Sequence, residues 1–164
     1  MTEIIIFAVA VVLHECGHIA AAGIFGVRLV SLRSRGIGAV MSYDFSTCSY
    51  LREAAVHLSG PLLNLLSALT AVIMYGSRAY YFCGISLTLA LVNLLPIKGF
   101  DGGGVARCIL SRLFMPDTAW RICGVLSAVG IIIMWTAVLW VELRCGGNLA
   151  LMIFVLVIMT GQLK

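Results

Sequence analysis

Apolar residues run along this chain in unbroken blocks, neither alternating as in a half-exposed strand nor forming the narrow stripe of a soluble helix. Four blocks, residues 4–25, 57–76, 79–96 and 120–141, reach or approach the roughly 20 apolar residues that a helix needs to cross a bilayer. A fifth, 148–161, is shorter. Residues 103–114 mix Arg107 and Arg112 with apolar side chains and predict a helix lying in the interface. The stretch VRLVSLRSRGIGAVMSYDF, residues 27–45, breaks the pattern. Its β-branched residues, the Arg35-Gly36 turn signal and Gly38 predict a short β-hairpin. The expected fold is an all-α polytopic membrane protein, one domain over 1–164, with a small membrane-associated hairpin.

Composition agrees. The 164 residues are 62% hydrophobic and 11% charged, with a mean hydropathy of +1.09, against roughly 25% charged in soluble domains. Block 4–25 is not expected to be a cleaved signal peptide, since it lacks a basic leader and a small-residue cleavage site. With five spans, Arg28, Arg33, Arg35, Arg52, Lys98, Arg107, Arg112, Arg121 and Lys164 collect on one side, and only Arg78 and Arg144 on the other. Positive residues favour the cytosol. The N-terminus is therefore expected outside, with segments 26–55 and 97–118 in the cytosol. The net charge of +4 follows from topology and calls for no nucleic-acid partner. Six cysteines without a CxxC pair read as small apolar residues and not as a disulfide or structural zinc framework. Trp120 and Trp140, with Tyr75, Tyr80 and Tyr81, read as interfacial anchors. Gly124, Ala128 and Gly130 give the block 120–141 a small-residue packing face.

The exception is the centre of the first block, AVAVVLHECGHIAAAGIF, which carries His14, Glu15 and His18. Each ionisable group at a bilayer centre costs about 2.5–3.5 kcal/mol on insertion scales, so the cluster needs a purpose. His14 and His18 are four apart and share one helix face, where both imidazoles can reach one ion. Glu15 projects about 100° away, beside the ion and not on it. This is the mechanical content of HExxH: two ligands and a general base over a metal-activated water. A catalytic zinc takes a third protein ligand. Among the remaining candidates Asp101 is well placed, because Pro96 breaks the third block and glycines follow. Irregular backbone at membrane depth is tolerated only where it is buried in protein or lines a cavity. His57 is the next candidate, although a place at the membrane interface suits it better.

Three motifs in order resemble the site-2 protease family of intramembrane zinc metalloproteases. HECGHIAAA (14–22) resembles the family's HExGHxxxA helix, SGPLLN (59–64) its GPxxN helix start, and NLLPIKGFDGG (93–103) its NxxPxxxxDGG element. The resemblance covers about residues 4–105, the three-helix catalytic core, and leaves 106–164 for one or two further transmembrane helices. It implies one Zn²⁺ per chain bound by His14, His18 and Asp101, with Glu15 as general base. It places Asn64 and Asn93 at the active-site lining, where the alternative is an ordinary interhelical hydrogen bond. It also sets the hairpin beside the site, where an extended substrate adds to its edge; a basic loop at lipid headgroups is the alternative. Phe100 stands where the family usually has Leu. No PDZ or CBS domain accompanies the core, and the layout is similar to the branch of sporulation-factor-processing proteases.

The expected function is hydrolysis of a peptide bond within or near a substrate's transmembrane segment. Expected partners are a membrane protein substrate, the lipid bilayer and a membrane regulator. The alternative from another class is a catalytically inactive membrane module that binds transmembrane segments; its signature would be a lost ligand or base, and all four residues are present. Membrane metalloproteases that process prenylated or misfolded proteins use a downstream glutamate ligand, for which only Glu53 and Glu142 remain. A metal transporter would need polar residues through both leaflets, which 68–76 and 131–138 lack beyond Thr70 and Thr136.

Overall fold

The computed structural model describes residues 2–35 and 38–145; the short block 148–161 and the hairpin tip at Gly36 lie outside the described residues. Among the described residues, five helices and one two-stranded sheet follow in the order α1 (Thr2–Phe25), β1 (Arg28–Arg35), β2 (Gly38–Asp44), α2 (Tyr50–Tyr75), a short 3₁₀ turn (Gly76–Ala79), α3 (Tyr80–Asn93), α4 (Asp101–Leu113) and α5 (Pro116–Cys145). The chain divides into two compact units, Met1–Leu94 and Leu95–Lys164. Among the described residues, three stretches are long and apolar enough to cross a membrane: Thr2–Phe25, Tyr50–Asn93 and Pro116–Arg144.

In the first unit, α1 ends where Gly26 takes a left-handed conformation (φ 67°). The Gly26 amide bonds the Gly23 carbonyl and the Val27 amide the Ala22 carbonyl at 2.8 Å, a Schellman closure that satisfies the last turn and needs glycine's freedom at that one place. Val27 then packs with Phe25, Tyr43 and Phe45 over Ala21, Ala22 and Val56. The chain next forms the expected hairpin. Arg28 faces Asp44 and Arg35 faces Gly38 in antiparallel register, with one irregularity between Leu29 and Ser31. At its base the Ser46 side chain and its backbone amide (3.0 Å) bond the exposed Asp44 carboxylate. With Arg28 nearby, they hold its carboxyl below the usual range.

α2 begins seven residues ahead of the apolar block, because Arg52 and Glu53 belong to the helix although they interrupt its hydrophobicity. Within this first turn Tyr50, Leu51 and Arg52 are exposed, while Glu53 is 4% exposed and packs inside. α1 and α2 meet at glycines: a Cβ on Gly17 would lie 2.5 Å from the Ser59 carbonyl and 2.9 Å from the Gly60 Cα. Small residues let the two backbones approach this closely, as in membrane bundles generally. Gly76 (φ 58°) turns the chain back into α3, whose Cys83 thiol donates to the Ala68 carbonyl at 3.2 Å. Ala68, Ala79 and Cys83 form the small apolar seam between α2 and α3. α3 has 14 residues, a rise of about 21 Å, short of a bilayer core of about 30 Å. The helix stops at Asn93, before a crossing is complete.

In the second unit, Leu95–Phe100 forms a compact turn: the Ile97 amide bonds the Leu95 carbonyl at 2.7 Å and the Phe100 amide bonds the Ile97 carbonyl at 3.0 Å. Gly99 carries φ 90°, and a Cβ on Gly103 would strike the Ile97 carbonyl. Ile97 is fully buried with Met134 and Val138. Part of the small-residue face of α5 is used here, since Gly130 lies under Ile97 while Gly124 meets nothing within 4 Å. Lys98 stands 5.1 Å over the Trp120 ring and Arg144 5.9 Å over Trp140. Twenty residues separate the two tryptophans, about 30 Å along the helix, the spacing of two membrane interfaces. Among the cysteines with described side chains, Cys83 and Cys108 are buried and Cys16 is exposed.

Candidate metal centre

The three polar residues of α1 lie at its middle. His14 and His18 are 5% and 7% exposed, and Glu15 beside them is half-buried. The i, i+4 spacing brings the two imidazoles edge to face, with centroids 4.8 Å apart and planes at 81°. Their Nε2 atoms are 3.2 Å apart. Two ligand nitrogens at Zn–N bonds of about 2.0–2.1 Å on a tetrahedral ion would be roughly 3.3 Å apart, so the observed pair matches one edge of such a site.

Both outer ring nitrogens are held from α2. His18 Nδ1 donates to the Val56 carbonyl at 2.8 Å, which fixes the ring and leaves its lone pair on Nε2, facing His14. His14 Nδ1 meets the Asn64 amide at 3.3 Å. Gly60 is what admits the His18 ring, since a Cβ there would collide with the imidazole. The glycine contact between α1 and α2 therefore sets the site as well as the fold. Imidazoles on buried, oriented rings are donors of the kind zinc takes.

Asp101, in the second unit, is the first residue of α4, half-buried and delivered by the 95–100 turn. A helix N-terminus favours a carboxylate. Asn93 is half-buried at the end of α3, and its Nδ2 donates to the Leu89 carbonyl of its own helix at 3.0 Å. Asn64, by contrast, is fully buried and touches His14. His57 packs its ring against Phe45 at 5.6 Å, at the foot of the hairpin. The contact that sequence reasoning could not name is the Val56 carbonyl, because a backbone acceptor has no residue signature.

Comparison with known proteins points the same way. The profile of Peptidase family M50 matches residues 2–79, which include His14, Glu15, His18 and Asn64. A zinc metalloprotease of Methanocaldococcus jannaschii is 29% identical over 119 residues, 67% of this chain and 34% of its own. A protein of Synechocystis named as a putative zinc metalloprotease is 30% identical over 122 residues, 69% of this chain and 32% of its own. The chain thus spans about a third of the length of these relatives. Among solved structures, the site-2 protease of M. jannaschii superposes with a TM-score of 0.68 at 26% identity, over 93% of this chain and 71% of that one. The resemblance in the three motifs, the helical membrane fold with its hairpin, and the paired histidines agree with one assignment: this chain carries a domain of Peptidase family M50, the site-2 protease family.

Proposed function

We propose that the chain is an intramembrane zinc metalloendopeptidase acting as one domain that cleaves within or near a transmembrane segment of a membrane protein. The observation that carries this reading is the His14–His18 pair, Nε2 to Nε2 at 3.2 Å, with Glu15 adjacent on a membrane-length helix. Asp101 is the proposed third ligand, supported by its place in the NLLPIKGFDGG element and at the start of α4. A zinc ion held by these residues would supply a Lewis acid that polarises the scissile carbonyl and acidifies a water.

Glu15 takes the proton from the attacking water and passes it to the leaving amine. The neighbouring histidines need no proton role, since the Val56 carbonyl and the Asn64 amide hold their outer nitrogens. A helical peptide bond is closed to attack, so the substrate must be extended near the site. The two-stranded sheet, which no third strand joins among the described residues, offers unpaired edges for this, with Leu29 and Val30 exposed. The predominance of Arg and Lys in 26–55 and 97–118 supports an outside N-terminus in the cell membrane with those loops in the cytosol. Asn93 is proposed to line the substrate path, and a membrane regulator would act from there or from the hairpin.

The test is reconstitution in liposomes with a single-span substrate peptide. Cleavage is expected, with loss on treatment with a zinc chelator and recovery on adding back Zn²⁺. Capture of the peptide without cleavage in zinc-loaded protein would favour a binding module.

A further inference from the structure

Asn64 and Ser86 are both fully buried, and each holds a polar atom without a hydrogen-bond partner: Asn64 Oδ1 and Ser86 Oγ. Leaving such atoms unpaired in a low-dielectric interior is costly. The Asn64 amide has its Nδ2 toward His14 Nδ1. A nitrogen that accepts at Nδ1 places the imidazole proton on Nε2, and that proton then points at His18 Nε2, 3.2 Å away. The arrangement is consistent within itself and unsuited to metal, because a ligating Nε2 must be unprotonated. His18 does not share the problem, since a carbonyl can only accept and fixes the proton on Nδ1.

Half a turn of the Asn64 amide reverses this. Oδ1 would accept the His14 Nδ1 proton, the Nε2 lone pair would face the ion, and the unpartnered oxygen would be satisfied. The amide NH₂ would then point away from His14.

Resting on the metal-centre reading above, we propose that Asn64 is a positioning residue: its amide selects the metal-binding tautomer of His14. Outer-sphere partners of this kind are worth 10–100-fold in metal affinity.

The experiment is competitive chelator titration of Co²⁺ and Zn²⁺ on detergent-purified full chain, with the visible spectrum of the Co²⁺ form. Asn64→Leu is expected to weaken both metals about 10–100-fold and to alter the Co²⁺ spectrum. Asn64→Asp, which has nearly the same volume and can only accept, is expected to stay within a few-fold of wild type. Asn64→Leu binding like wild type overturns the proposal. So does a tenfold or greater loss in Asn64→Asp, which decides the matter even if the leucine variant does not fold. Metal bound equally by wild type and His14→Ala would remove the metal-centre reading and this proposal together.

Discussion

Glu15→Gln is expected to cut peptide-bond cleavage by about 10²–10⁴-fold, the usual worth of a positioned general base, while leaving the bound metal in place. The separation follows from helix geometry. His14 and His18 share one face of α1 with their Nε2 atoms converging, whereas Glu15 projects about 100° round the axis and is not needed to complete the ligand set. Glutamine keeps the volume and the hydrogen-bonding capacity at this half-buried position but cannot take a proton. Cleavage of a reconstituted substrate and zinc content, measured on the same preparation, check it. Metal lost together with activity would make Glu15 a ligand and require a different base.

Gly60→Ala is expected to damage the centre from the opposite helix. The added Cβ would overlap the His18 imidazole, so either the ring leaves the Val56 carbonyl or α2 moves back from α1. Loss of that outer-sphere bond predicts metal binding weakened about 10–100-fold, and overpacking predicts about 1–3 kcal/mol of destabilisation. Gly17→Ala should destabilise through the same crossing, because its Cβ would meet the Ser59 carbonyl, which is backbone and cannot rotate aside. Gly23→Ala on the same helix meets nothing within 4 Å and serves as the control, with little effect expected. Thermal unfolding in detergent and chelator titration read the two effects apart. A Gly60→Ala protein with wild-type stability and metal affinity would contradict the placement of His18.

The membrane metalloprotease family was the most legible part of this sequence, because a membrane helix has so few reasons to carry His14, Glu15 and His18 at its centre. The hairpin was legible from β-branched residues and glycine punctuation, and β1 and β2 fall within the expected 27–45. The start of α2 was not: hydropathy marks residues that lipid could solvate, and Arg52 and Glu53 are helical without meeting that test. The length of α3 was also overestimated by the block 79–96, since Leu94 and Leu95 continue the apolar run after the helix has ended at Asn93. Gly17 and Gly60 could be read as motif letters, but their reason is three-dimensional, a close crossing that lets His18 reach a backbone carbonyl. Asn64 could be tied to the site but not to His14 in particular. That pairing spans 50 residues and depends on how α1 and α2 cross.

This membrane domain is proposed to hold one catalytic metal, and metal content tests that most directly. Detergent-purified wild type should carry about one zinc per chain, as expected for a mononuclear site, and His14→Ala and Asp101→Ala should carry little. Wild-type protein without metal after handling free of chelators, or zinc retained in full by His14→Ala, would contradict the account.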